Sequence, residues 1–225
     1  MGLHLNFELH LPATTSREEI AQKLELLREH ALGTPVYRVT DLYSADHVLA
    51  KDDPSADRLE HFFRMWASII AHPTTDHPER DMIGDERTAL GFVVAPGQGC
   101  EPAPFGFYRR RHETGLREEW HWHTCCKTQY ASVVSDEHLV TCHTALVSIL
   151  DRALALGIAV IVRDETGYWL ARDVTVLIES VHQMNRIVAT FAGALSDQIA
   201  EQSSSVAVQA PIFEHHRFER LEMGE

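Results

Sequence analysis

The first residues of the chain alternate between apolar and polar side chains. Apolar residues occupy every second position from Leu3 to Leu11, and the positions between them are polar: His4, Asn6, Glu8 and His10. A period of two predicts a strand with one buried and one solvated face. Pro12 ends this strand, because proline has no N–H to donate to a sheet.

A helix is predicted directly after this strand. Ser16 and Glu19 have the spacing of a capping box, and apolar residues then recur at helical spacing until Gly33. A short strand is predicted over 36–42. The chain therefore opens in the order strand, helix, strand.

Residues 58–70 leave two interpretations open. Their apolar residues lie three and four positions apart, which favours a helix: Leu59, Phe62, Phe63, Trp66, Ile69 and Ile70. The aromatic and β-branched content of the segment is also typical of a strand. We expect a helix here.

The remainder of the chain combines strands with two long helices. Strands are predicted at 89–95, 105–109, 119–132, 158–162, 168–170 and 206–213. Ser135 or Asp136 caps a helix whose apolar stripe begins at Leu139, and Asp173 caps a longer one. Among these strands, 158–162 is expected to be buried because its residues are continuously apolar.

This element order predicts an α+β fold. Helices with a single apolar stripe pack against a sheet, so we expect a mixed, largely antiparallel sheet with helices packed on one face and a ferredoxin-like element order. A chain of this length can form one substantial core. We therefore expect a single domain over 1–213, which could consist of two related halves (1–87 and 88–213), and a solvated tail over 214–225.

The composition narrows the range of partners. The 225 residues carry a formal net charge of −13, which repels phosphate backbones and anionic lipids and argues against nucleic-acid and membrane partners. A basic protein partner is favoured instead. No signal peptide or membrane-spanning stretch is apparent, so we expect a cytoplasmic protein whose cysteines are thiols: Cys100, Cys125, Cys126 and Cys142.

The densest run of reactive side chains lies between positions 120 and 130. Five residues in and after this run could bind zinc: His121, His123 and Cys125 on one face of a strand, and His138 and Cys142 on one face of the following helix. No zinc-ribbon or HExxH pattern supports the site. The alternative is a solvated strand face in a chain that contains fifteen histidines.

A catalytic thiol is the second chemical hypothesis. Lys127 follows Cys126 and could lower its pKa, and His143 could act as the base. Adjacent strand residues point to opposite sides, however, and free cysteines are often buried as small apolar residues. The acidic pair Asp164 and Glu165 is interpreted as a solvated turn.

No Walker loop, GxGxxG, GxSxG or HExxH pattern occurs. We therefore expect an acidic binding or interaction protein, of inhibitor type, and leave open whether it is an enzyme. The alternative is a zinc-dependent or cysteine-thiol enzyme that uses residues 121–126 with Cys142 and His143. Self-association into a homo-oligomer is compatible with both.

Overall fold

A seven-stranded antiparallel sheet organises the part of the chain that the computed structural model describes. The described residues are 3–44, 57–71, 82–112, 118–202, 210–215 and 218–222. The strands are β1 (Leu5–Pro12), β2 (Arg38–Val39), β3 (Tyr43–Ser44), β4 (Met82–Ala95), β5 (Ala103–His112), β6 (Glu118–Cys126) and β7 (Ala159–Asp164). The helices are α1 (Arg17–Leu32), α2 (Arg58–Ala71), α3 (Asp136–Ala155), α4 (Tyr168–Ala171), α5 (Val174–Gln202) and α6 (Phe218–Glu222).

The strand order confirms an α+β fold with an antiparallel sheet. Hydrogen-bonded neighbours run β2-β4-β5-β6-β1-β7, and β3 pairs with β4. The first strand, β1, thus lies between β6 and β7. Both of these neighbours belong to the second half of the chain. The ferredoxin-like element order is not confirmed.

One face of the sheet forms the main core with α1 and α3. The apolar residues of β1 are at most 4% exposed, and Phe7 stacks on Phe105 of β5 with ring centroids 4.8 Å apart. The side chain of Ser16 caps α1 by accepting a hydrogen bond from the Glu19 N–H, as its spacing predicts. The helices α1 and α3 contact each other, and His30 bonds to Ser148 at 2.9 Å.

The predicted helix over 58–70 is confirmed as α2, and it lies on the opposite face. Gly91 of β4 pairs with Gly106 of β5, and a Cβ at Gly91 would lie 2.6 Å from the Phe63 ring of α2. Side-chain positions alternate between faces, so Phe63 lies across the sheet from Phe92 and Phe105. The two glycines therefore provide the space for α2 to approach the sheet.

The aromatic residues of α2 contact β6, where Phe63 stacks on Trp122 with ring centroids 5.1 Å apart. The register of β5 and β6 runs from Tyr108↔His121 to Arg111↔Glu118. Beyond Tyr108, indole N–H groups bond to strand carbonyls: Trp66 donates to His123 at 2.7 Å and Trp122 donates to Pro104 at 2.9 Å. These bonds tie the indole rings to the backbone of β6 and of β5.

The structure corrects three predicted strands. The strand β7 stands at the end of the sheet order and exposes every second residue, so it is not buried on both sides. The return strand predicted at 168–170 is wrong, because those residues belong to α4. The predicted strand 119–132 ends at Cys126, and a 3-10 helix follows over Gln129–Val133.

The end of the chain contributes to a small cluster beside α5. Residues 206–209 of the strand predicted at 206–213 lie outside the described residues, and Pro211–Glu214 form a 3-10 helix. Leu221 of α6 is buried with Val188 and Ile212. Within the described ranges, no helix has both the length and the apolar character needed to cross a membrane.

Candidate functional site

The candidate site lies on the polar face of β1, beside the area that α2 covers. The apolar residues of β1 face the core, so Asn6, Glu8 and His10 point to the other side. In the register with β6, Glu8 lies opposite His123 and His10 lies opposite His121. The sheet therefore brings Glu8 and His10 together with His121 and His123. His10 and His121 are 111 positions apart in the sequence.

Three of these side chains form a compact cluster. The Nε2 of His10 lies 3.1 Å from a carboxylate oxygen of Glu8, and its Nδ1 lies 3.5 Å from the Nδ1 of His121. One ligand atom from each residue lies within 4.8 Å of the other two. The cluster, hereafter the Glu8–His10–His121 cluster, combines a carboxylate with two imidazoles, which is a donor set that divalent transition metals accept.

The neighbours of His121 fix its position. His121 is 3% exposed, and the ring of Tyr108 meets it edge-on at 5.7 Å. The guanidinium of Arg110 forms an ion pair with Glu119 at 2.7 Å, and Glu119 also lies 3.6 Å from the Nδ1 of His10. The cluster is therefore held on one side by an ion pair that is itself nearly buried.

These surroundings set the charges in the cluster. Burial, with the nearby positive charge of Arg110, lowers the pKa of His121 to about 2, so its imidazole is neutral. The hydrogen bond from His10 lowers the pKa of Glu8 despite partial burial, so this side chain is a carboxylate at neutral pH. The cluster thus presents one anionic and at least one neutral ligand group.

A cleft of about 310 Å³ adjoins the cluster and shares Glu8 with it. Its other lining residues come from β1, β6, β7 and the turn after β7: Asn6, Phe7, His123, Ile161, Arg163 and Glu165. Cationic and anionic side chains both line this space. A small molecule bound there would lie next to the Glu8 carboxylate.

Only His121 of the five predicted metal ligands belongs to this cluster. His123 lines the cleft, and Cys125 lies one pair further along the same strand face, opposite Asn6. His138 and Cys142 lie together on α3, with their side-chain atoms 3.6 Å apart, in a separate group beside Cys100. Glu8 and His10 were not predicted as site residues, although the alternation in β1 places both on its polar face.

The three predicted catalytic residues have other partners. The thiol of Cys126 is fully buried and donates to the Glu101 carbonyl at 3.0 Å, and burial raises its pKa well above the usual value. The Lys127 ammonium lies 3.7 Å from the Glu101 carboxylate. Both contacts join residues 126 and 127 to Glu101, and burial leaves Cys126 protonated at neutral pH.

His143 belongs to a buried hydrogen-bonded group that closes the β7–α4 turn. Its ring nitrogens lie 2.9 Å from the Thr128 hydroxyl and 3.3 Å from the Asp164 carboxylate. Burial alone would raise the pKa of Asp164, but hydrogen bonds from His143, Thr166 and the Trp169 N–H lower it to about 2. Asp164 is thus buried, contrary to its interpretation as part of a solvated turn, and it stabilises the fold.

Comparisons with protein-family models, curated proteins and solved structures found no match to this chain. Its function is therefore inferred from the residues of the site.

Proposed function

We propose that the protein binds one divalent transition-metal ion, with zinc as the first choice, through Glu8, His10 and His121. The ion would face the adjoining cleft, where a small ligand or a water molecule could complete its coordination. This proposal retains the zinc expected from the sequence but assigns it a different ligand set.

The observation that supports the proposal most strongly is the pair of facing imidazole nitrogens. Tetrahedral zinc with bonds of 2.0–2.1 Å requires its ligand atoms to be about 3.4 Å apart. The Nδ1 atoms of His10 and His121 are 3.5 Å apart. Glu8 would be the third ligand: its oxygen lies 3.1 Å from the Nε2 of His10, so the carboxylate would have to leave this nitrogen and turn toward the ion between the two Nδ1 atoms.

The protonation of the cluster favours a cation. Imidazoles bind metals in their neutral form, and His121 is neutral. The Glu8 carboxylate carries a negative charge that would partly compensate a dication. The net charge of −13 adds a general attraction for cations.

Zinc titration of chelator-treated protein tests the proposal. We expect one equivalent to bind, and His10→Ala, His121→Gln and Glu8→Gln each to weaken binding at least about tenfold. His123→Ala is the matched control, because His123 lies on the same strand face but outside the cluster. Cobalt absorption typical of tetrahedral coordination provides an independent readout.

Two results would contradict the proposal. If the wild-type protein binds no zinc, the cluster is a hydrogen-bonded network of Glu8, His10 and His121 without an ion. If zinc binds equally well to all three variants and to the control, the ion is elsewhere. Circular dichroism of each variant separates loss of binding from loss of folding.

An interaction with a basic partner remains the second candidate function. The helix α5 exposes three apolar side chains spaced by four residues, Ile187, Phe191 and Leu195, on a chain with strong negative charge. Exposed apolar stripes of this kind are found where proteins associate. The test is binding of a basic partner at low salt. Loss of binding in Phe191→Asp, but not in the control Thr190→Asp at the neighbouring exposed position, would support this function. Equal binding to both variants would exclude this surface.

A further inference from the structure

We propose that two copies of the chain pair through the outer edges of their β7 strands, in an antiparallel arrangement with Ile161 on the two-fold axis. This inference is independent of the metal site. It rests on the difference between the two ends of the sheet and on the residues that β7 presents at its end.

The two ends of the sheet are protected to different degrees. At one end, β2 and β3 have two residues each, a length that offers little backbone to another strand. At the other end, β7 extends over six residues and contains no proline. Within the described part of the chain, β7 pairs with β1 alone. It is therefore the edge to which a further strand can be added.

The register with β1 determines which backbone groups of β7 face outward. The Glu165 N–H donates to the His4 carbonyl at 3.0 Å, and this pair continues the register of the two strands. Hydrogen-bonded pairs alternate along an antiparallel ladder, so the odd-numbered residues of β7 bond to β1. The N–H and C=O groups of Val160 and Val162 therefore point away from the sheet.

These outward groups match those of a second copy in one symmetric register. When Ile161 lies opposite Ile161, each Val160 lies opposite Val162 of the other copy, and their backbone groups bond directly. Ile161 is 57% exposed, and the same side chain of the other copy would cover it as a cross-strand pair. A two-fold dimer requires a self-complementary contact of this kind.

The charges along β7 agree with this register. Arg163 would lie opposite Ala159 of the other copy, whose small side chain leaves room for the guanidinium to extend toward the strand that carries Glu8. A register with Arg163 on the axis would instead place two like charges directly opposite each other, which is destabilising. Because Ile161 and Arg163 both line the cleft beside Glu8, the proposed pairing also brings the clefts of the two copies together at the axis.

Cysteine cross-linking under mild oxidation tests the register. Opposite residues of a pair without hydrogen bonds have Cα atoms about 4.5 Å apart, a separation that a disulfide spans, so Ile161→Cys should form a disulfide-linked dimer. Ala159→Cys is the matched control, because its two copies would be about 14 Å apart along the paired strands. Ala159→Cys and Arg163→Cys should each fail to cross-link alone but should cross-link when mixed. Equal cross-linking of the variants at positions 159 and 161, or a cross-linked dimer of the wild type through its own four thiols, would overturn the register.

Sedimentation velocity over a range of protein concentrations tests the association without added cysteines, at about 0.15 M salt to screen the net charge of the two copies. We expect a reversible monomer–dimer equilibrium that Ile161→Lys weakens at least about tenfold, since a lysine in the centre of an edge strand opposes pairing. Ile69→Lys is the matched control, because Ile69 is 55% exposed on α2, and it should associate like the wild type. A wild type that remains monomeric at every concentration, or equal association of the two lysine variants, would overturn the proposal.

Discussion

Acidification tests the surroundings of His121 without reference to any ligand. The pKa of this residue is about 2 in the folded protein and about 6.5 in an unfolded chain. Below about pH 6.5 the unfolded chain therefore binds a proton at this position that the folded protein does not bind. The contribution of His121 to the free energy of unfolding is complete above about pH 6.5 and is lost progressively as the pH falls below this value.

The magnitude follows from the gap between the two pKa values. Each pH unit within the gap costs about 1.4 kcal/mol, so lowering the pH from about 6.5 to about 5 should cost about 2 kcal/mol from this residue. Burial keeps His121 neutral, together with the charged groups near it: Arg110 on β5, His10 on β1, and His123 on β6 itself. The loss should continue at lower pH because the folded pKa is lower still.

Urea denaturation followed by tryptophan fluorescence provides the assay, with a chelator present throughout. His121→Gln keeps a polar side chain but cannot titrate, so its free energy of unfolding should decline about 2 kcal/mol less than that of the wild type over this pH range. Parallel curves for the wild type and His121→Gln would show that His121 is protonated within the folded protein, and the reasoning from its burial would then be refuted.

Three further variants test the packing around the site. Asp164→Asn should cost about 2–3 kcal/mol of unfolding free energy, because the amide cannot accept all the hydrogen bonds that the buried carboxylate accepts from His143, Thr166 and the Trp169 N–H; a loss below about 1 kcal/mol would contradict this role. Gly91→Ala should cost at least about 2 kcal/mol, because its Cβ would lie 2.2 Å from the Phe105 carbonyl oxygen. Gly33→Ala, with a nearest contact of 3.3 Å, is its control and should be close to neutral. Trp66→Phe should cost about 1–2 kcal/mol by leaving the His123 carbonyl without its donor, and an unchanged urea midpoint would show that this carbonyl finds another partner.

The elements that the sequence predicts correctly have strong local signals. The caps at Ser16 and Ser135 bond to the N–H groups of the third residue after them, and Asp173 accepts from the Thr175 N–H at the start of α5. Each cap is followed by an apolar stripe at helical spacing. Local sequence therefore defines where these helices begin.

The elements that the sequence mispredicts depend on distant contacts. Tyr168 and Trp169 have the composition of a strand, but the buried Asp164 carboxylate accepts from the Trp169 N–H at 2.8 Å and from Thr166. The chain therefore turns at Gly167, which has a φ of +81°, and enters a helical turn. Asp164 can occupy this position because His143 compensates its burial, and this contact cannot be deduced from the local sequence.

The same distinction explains the candidate site. Alternation along β1 and β6 correctly predicts which face each histidine occupies, but it cannot predict which strands are neighbours. His121 faces His10 because the first strand of the chain is inserted between β6 and β7, a pairing that joins residues 111 positions apart. Had β6 lain at an edge, His121 would have been more solvated, and burial would not have lowered its pKa. If His121 holds zinc as proposed, its neutral, buried imidazole depends on the order of the strands, and a variant that unpairs β1 from β6 should lose zinc binding even with all three side chains intact.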